Sequence, residues 1–197
     1  MRLLMVDDTP QMGGSIRCAA PLLRDLAAHG HEVGLTASRP DLWTRFAGDQ
    51  VRRCDVDWRG FRDVFDPAHK LEAGGAPFFG QWLALRRFTE RLLPDLRRIL
   101  RVFRPQLVVA NNINLAQIPT MIAAAEAGVP AIAWGRMIRL FGGRELKGVA
   151  GRARKVLCMS DAVRRCLADR LPSLGETLVV VFDGIEDQLF RVTPDPQ

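Results

Sequence analysis

The chain lacks any run of about 20 apolar residues, the length a helix needs to cross a bilayer. Its opening apolar stretch, Met1 to Val6, meets Asp7 and Asp8 too soon for a secretory leader, so a cytoplasmic location is expected. Cysteine is sparse. Cys18, Cys54, Cys158 and Cys166 form no CxxC pair and no nearby histidine completes a metal-ligand spacing, so we expect reduced cysteines in or near the core and no metal site. Lysine is almost missing: only Lys70, Lys147 and Lys155 occur, and 25 of the 28 basic residues are arginine. The net charge of +6 attracts phosphates, anionic lipid heads or nucleic acid. No aromatic-basic RNA motif, zinc-finger spacing or recognition helix accompanies it, so nucleic acid is not expected as a partner.

What the chain has is an ordinary globular composition, 48% hydrophobic and 25% charged, over 197 residues, the size of one domain. Residues 2–6 are a short apolar run closed by two carboxylates, the pattern of a strand buried on both faces. After a loop, Ser15 is expected to cap a helix whose apolar positions Ile16, Ala19, Ala20, Leu23, Leu26 and Ala27 recur at helical spacing, with Gly30 ending it. Strands are expected at 31–37 and, more weakly, 51–56, with a short helix around 42–46 between them. Residues 57–79, broken by Gly60, Pro67, Gly74, Gly75 and Pro77, read as an irregular excursion, and loops of that length are often functional.

From 79 to 104, Trp82, Leu85, Phe88, Leu92, Leu96, Ile99 and Phe103 share one helical face, and Pro94 is expected to kink or divide the helix. A basic amphipathic helix bearing a Trp suits peripheral contact with an anionic membrane, and the same pattern serves a helix packed on a sheet; both readings stay open. Strands at 106–110, 131–134, 155–159 and 178–182 alternate with a helix stopped at Gly128 and Pro130 and with a helix at 161–171 capped by Ser160. This alternation implies a doubly wound, Rossmann-like parallel sheet with helices on both faces. Ligands on such sheets bind beyond the carboxyl ends of the strands. The candidates are therefore residues 7–15, 111–114, 135–137, Ser160 and 183–184.

Gly13, Gly14 and Ser15 join a strand to a helix, where backbone N–H groups and the helix dipole favour an anion. The spacing is neither the GxGxxG dinucleotide fingerprint nor the GxxxxGK[ST] phosphate loop, and a plain strand-to-helix turn explains a Gly-Gly pair equally well. Asn111, Asn112 and Asn114 serve either as ligand groups or as turn and capping residues. Arg136 either binds a phosphate or is one more solvated arginine. Asp7 and Asp8 either bind a ligand's hydroxyls or simply bound the strand.

Several segments, taken in order, resemble the family 4 type of GT-B glycosyltransferase in its N-terminal, acceptor-side domain. They are Gly13-Gly14 after the first strand, His31-Glu32-Val33 opening the second, Arg104 to Val109, Ala127 to Pro130, Val156 to Asp161, and Val180-Val181-Phe182-Asp183-Gly184-Ile185-Glu186 followed by Phe190. The resemblance implies one domain over 1–190 and the start of an inter-domain linker over 191–197. It implies a hexosyltransferase-like enzyme whose acceptor-side half is present and whose C-terminal donor-binding half is missing from this chain. The isolated chain is then expected to be inactive. The nucleotide-sugar enters as co-substrate, no cofactor is expected, and the acceptor is a glycan or lipid. Substrate-binding residues expected from the loops and the resemblance are Gly13, Gly14, Ser15, Asn111, Asn112 and Arg136, with no catalytic residue assigned.

Asn111 stands where many members carry His, another His near Gly135 is absent, Asp183 replaces the usual Asn and Glu186 the usual Asp. An Asn orients a hydroxyl but cannot take its proton near neutral pH, which excludes Asn111 as a general base. Two other classes remain. One is a non-catalytic or split glycan- or lipid-binding domain. The other is a phospho-acceptor signalling domain, in which Asp7 and Asp8 form an acidic pocket with Asp55 or Asp57.

Overall fold

A computed structural model describes residues 1–11, 13–59, 61, 78–136 and 143–184. Among the described residues the alternating apolar runs become seven parallel strands: β1 (Arg2–Asp7), β2 (Glu32–Ala37), β3 (Arg52–Arg53), β4 (Leu107–Ala110), β5 (Ala131–Gly135), β6 (Lys155–Cys158) and β7 (Leu178–Val180). The helices are α1 (Gly14–Ala28), α2 (Pro40–Ala47), α3 (Phe78–Phe103), α4 (Ile118–Glu126), α5 (Gly143–Gly148) and α6 (Asp161–Arg170). The sheet order β3-β2-β1-β4-β5-β6-β7 reverses direction between β1 and β4, whose registers align Val6 with Ala110.

Alternation along β1 sorts the core into two layers, because successive side chains point to opposite faces. Leu4 and Val6 join Val108, Ala110 and Val156 beneath α3, α4 and α6, where Phe88, Leu92, Leu96, Met121 and Leu167 are almost fully buried. Burial of each such side chain contributes about 1.5–3 kcal/mol. Leu3 and Met5 face the other way, toward Ile16, Leu23 and Trp43 of α1 and α2. Among the described residues this second layer thins out toward β7: Trp134 is buried, its register partner Leu157 half-buried, and the next in the row, Val179, exposed. No helix of the described residues is long and apolar enough to cross a membrane.

Four local expectations change. The third strand shrinks from 51–56 to Arg52–Arg53, since this edge strand pairs only with Gly34 and Leu35 and carries two exposed arginines. Ser15 does not cap α1; the helix begins at Gly14, with extended Gly13 at the cap position and no side-chain cap. Pro94 does not divide α3, which runs unbroken from Phe78 to Phe103. The proline itself is exposed, while Leu92 and Leu96 on either side of it are seated in the same core layer. Finally, β3 lies beyond β2, so Asp55 and Asp57 are a strand removed from Asp7, and Asp57 is clasped by Arg59 instead. The acidic pocket of a signalling domain is therefore not assembled. Most of the excursion at 57–79, with Met137, Glu186, Phe190 and the linker at 191–197, lies outside the described residues.

Gly34 is where α3 closes on the sheet. A Cβ there would lie 3.0 Å from Phe103 Cε1 and 3.3 Å from Leu4 Cδ1. Gly34→Val is expected to cost about 1–3 kcal/mol by overpacking, read as a lower urea midpoint. An unchanged midpoint would mean that Phe103 does not seal β2.

Candidate functional site

The crevice lies at the carboxyl ends of the paired strands β1 and β4, where the strand order changes direction, the position at which open α/β sheets bind ligands. Asp7 is fully buried there, and its carboxylate accepts four hydrogen bonds. Thr9 supplies its hydroxyl at 2.7 Å and its backbone N–H at 3.3 Å. Trp43 Nε1 donates from α2 at 2.9 Å, and Asn111 Nδ2 from the end of β4 at 2.7 Å. The backbone carbonyl of Asp7 also accepts from Ser38 at the end of β2.

Asn111 relays this hub across the sheet. Its Oδ1 accepts from Arg136 Nε at 3.2 Å, which fixes the amide orientation. Arg136 Nη1 in turn donates to both carboxylate oxygens of Asp183, each at 3.0 Å. The guanidinium lies 3.7 Å over the Trp134 ring, a cation–π contact within a desolvated site. Burial pulls Arg136 below the usual arginine range, against the neighbouring Asp183 charge, which raises it. Its Nη2 is buried without a hydrogen-bond partner. Arg136 is therefore not a solvated arginine: it is 8% exposed and committed to Asp183, with one donor group left over.

Asp8, also fully buried, is less well served. Oδ1 accepts from Asn112 Nδ2 at 2.8 Å, while Oδ2 has no hydrogen-bond partner. Burial, then the charge of Asp7, pushes its carboxyl up to about 6, opposed by the amides of Asn112, Asn114 and Gln117. Asn114 accepts from Ala116 N and caps the short turn at Leu115–Gln117, and Ser160 accepts from Val163 N and caps α6, so both are capping residues in this structure.

Gly13 and Gly14 stand at the start of α1 on the same side of the sheet. Gly13 has extended backbone, the helix has no acidic residue in its first turn, and a Cβ on Gly14 would meet nothing within 4 Å. Neither packing nor a left-handed backbone demands glycine here. What the pair leaves is open room next to uncapped helix N–H groups. Ser15 Oγ lies 3.2 Å from Thr9 Oγ1, tying this turn to the Asp7 hub.

The structure thus brings together Asn111 and Arg136 through a direct hydrogen bond, links Asn112 and Ser15 to them through Thr9, and sets Gly13 and Gly14 alongside. Trp43 and Gln117 were missed, while Thr9 falls within the expected 7–15 segment. A buried indole N–H needs an acceptor and a buried carboxylate needs donors, so a Trp in the helix after β2 and an Asp ending β1 are a pair that chemistry suggests.

No protein-family model matches the chain, and no curated protein does so. Solved structures do. HepE from Anabaena, solved with UDP, superposes with a TM-score of 0.65 at 17% identity, covering 98% of this chain and 47% of that one. The UDP-GlcNAc 2-epimerase of Neisseria meningitidis, bound to UDP-GlcNAc, gives 0.61 at 15% identity over 91% of this chain and 45% of the epimerase. The lipopolysaccharide outer core galactosyltransferase WaaB gives 0.61 at 12% identity, over 94% of this chain and 46% of WaaB. The chain spans about half the length of these structures. Its fold is a Rossmann-like α/β domain matching one half of a GT-B fold.

The raised carboxyl of Asp8 sets a pH dependence. Because its folded value lies above its unfolded one, the stability it contributes is fully present below about pH 4 and is lost as pH rises through about 6. Asp8→Asn removes this titration. Compared with the parent in urea melts, it is expected to gain on the order of 2–3 kcal/mol in relative stability between about pH 4 and pH 7. A pH-independent difference would show that Asp8 is not strained by burial.

Proposed function

We propose that this domain is the acceptor-side, N-terminal half of a family 4-type glycosyltransferase, moving a sugar from a nucleotide-sugar to a glycan or lipid acceptor in the cytoplasm. A second, donor-binding domain completes the site by closing over the carboxyl ends of the strands. The observation that carries the reading is a half-GT-B fold whose crevice presents an uncapped helix start beside open space. A phosphate of the donor placed there meets the bare N–H groups of Gly14 and Ser15 and the positive end of the α1 dipole. The remaining Nη2 of Arg136 offers a further donor on the same face of the sheet. UDP in HepE and UDP-GlcNAc in the Neisseria epimerase support a nucleotide-sugar as the co-substrate.

In this reading Asn112 orients a hydroxyl, and Asn111 holds Arg136 in place. Asn111 takes no proton, since an amide has no basic site near neutral pH. Asp8 is sealed from solvent, so neither residue is assigned as a base. The 2-epimerase neighbours favour a second reading, in which a UDP-sugar is rearranged rather than transferred. A non-catalytic or split glycan- or lipid-binding domain is the third.

Purified residues 1–197, incubated with UDP-glucose, UDP-galactose and UDP-N-acetylglucosamine, are expected to bind UDP saturably in calorimetry and to release none from the sugars. Catalytic UDP release or formation of a C2 epimer by the chain alone contradicts the half-enzyme reading. Absence of UDP binding at millimolar concentration removes the phosphate contact at the start of α1 from it.

A further inference from the structure

A cleft of about 420 Å3 opens beside the carboxyl ends of β2 and β3, flanking the crevice between β1 and β4. That volume lies within the range of small-molecule sites. Its walls include Leu35, Ala37, Trp43 and Trp58. Trp58 is wedged in place, meeting Phe61 edge-on with centroids 5.9 Å apart and Phe88 at 6.1 Å, so it is a rigid aromatic surface rather than a swinging side chain.

The rim is polar and charge-balanced. Arg53 and Asp55 both line the cleft, and neither side chain has a hydrogen bond or ion pair among the described residues. Further along the same segment Arg59 clasps Asp57 through Nε at 2.8 Å and Nη2 at 2.6 Å, and the backbone N–H of Asp57 donates to Asp95 at 2.9 Å. The rim therefore offers one unclaimed guanidinium and one unclaimed carboxylate without a net charge. Pro40, at the start of α2, also lines the cleft, and Arg39 and Asp41 on either side of it are paired with each other at 2.9 and 2.7 Å, so they add no net charge there. An aromatic wall with a balanced donor and acceptor rim suits an uncharged, polyhydroxylated ring, whose C–H face packs on the indole while its hydroxyls bond to both charges.

The cleft is also joined to the crevice. Trp43 lines the one and donates to Asp7 in the other at 2.9 Å. Ser38, another lining residue, donates through its hydroxyl to Thr9 O at 3.2 Å. A ring held in the cleft thus sits next to the loop that leads to Gly13 and Gly14.

We propose that this cleft, between Trp58 and the Arg53–Asp55 rim, binds an uncharged carbohydrate ring as the acceptor. The inference rests on the sugar-transfer reading and adds to it the acceptor's chemical class and place: a neutral sugar at the β2–β3 side, separate from the phosphate position at α1.

The four tryptophans of the 197-residue chain provide the test through their indole N–H signals in NMR, assigned by single Trp→Phe substitutions. The probes are the methyl glycosides of glucose, galactose, mannose and N-acetylglucosamine, with UDP titrated separately. At least one glycoside is expected to move the Trp58 signal saturably while leaving Trp82 in place. The same glycoside is expected to slow alkylation of Cys54, which lines the cleft, and not that of Cys166. The double variant Arg53→Met/Asp55→Asn changes two exposed side chains and is expected to weaken glycoside binding at least ~10-fold with an unchanged amide spectrum. No response of Trp58 to any of the four glycosides, or equal binding by the double variant, overturns the proposal. UDP binding without glycoside binding overturns the cleft alone; glycoside binding without UDP binding retains the cleft and overturns the phosphate position at α1.

Discussion

The Asp7 carboxylate is the constraint on which the carboxyl face of the sheet depends. A buried carboxylate is tolerated only when its lone pairs are claimed, and donors from three places in the chain claim these: the loop after β1, helix α2 and the end of β4. Each donor is itself buried or partly buried, so none is readily replaced by water. The hub fixes where α2 sits against β2, which in turn places Trp43 at the boundary between crevice and cleft. It also fixes the amide of Asn111, and through it Arg136 and Asp183. One hydrogen-bonded chain therefore runs from α2 to the segment that leaves β7.

That arrangement separates rigid from open parts. The floor of the crevice is locked, with Asp7 fully satisfied and Arg136 clamped between Asn111 and Asp183. The approach to it is not: Gly13 and Gly14 bring no side chain, and the start of α1 has no cap. Such a division is what a site needs if a ligand's phosphate is to displace only water and meet pre-aligned N–H groups. Among the described residues the second sheet layer thins toward β7, where Leu157 is half-buried and Val179, Val181 and Phe182 are exposed.

The central strands were legible because β1, β4 and β5 are buried on both sides and read as unbroken apolar runs. β3 was overestimated for the opposite reason: an edge strand of two exposed arginines has no apolar signature, and the apolar residues around it, Val51 and Cys54, belong to the flanking loops. Ser15 has the chemistry of a cap but sits inside the helix, because extended Gly13 takes that place without a side chain. Arg136 was obscured by composition, since one arginine among many reads as surface. Its partner Asp183 lies 47 residues away, at the end of a different strand, and only the sheet brings them together. Trp43 was hidden in the same way, its acceptor being 36 residues earlier in the chain.

The measurement that tests the central claim most directly is the stability of Asp7→Asn by urea denaturation at neutral pH. The substitution keeps the shape but replaces one accepting oxygen with an NH2 group, which turns donors from Trp43, Thr9 or Asn111 against another donor. A loss of about 2–4 kcal/mol, with the Trp43 indole signal displaced, is the result expected if the carboxylate organises the strand ends. Stability within about 0.5 kcal/mol of the parent and an unmoved Trp43 would contradict it.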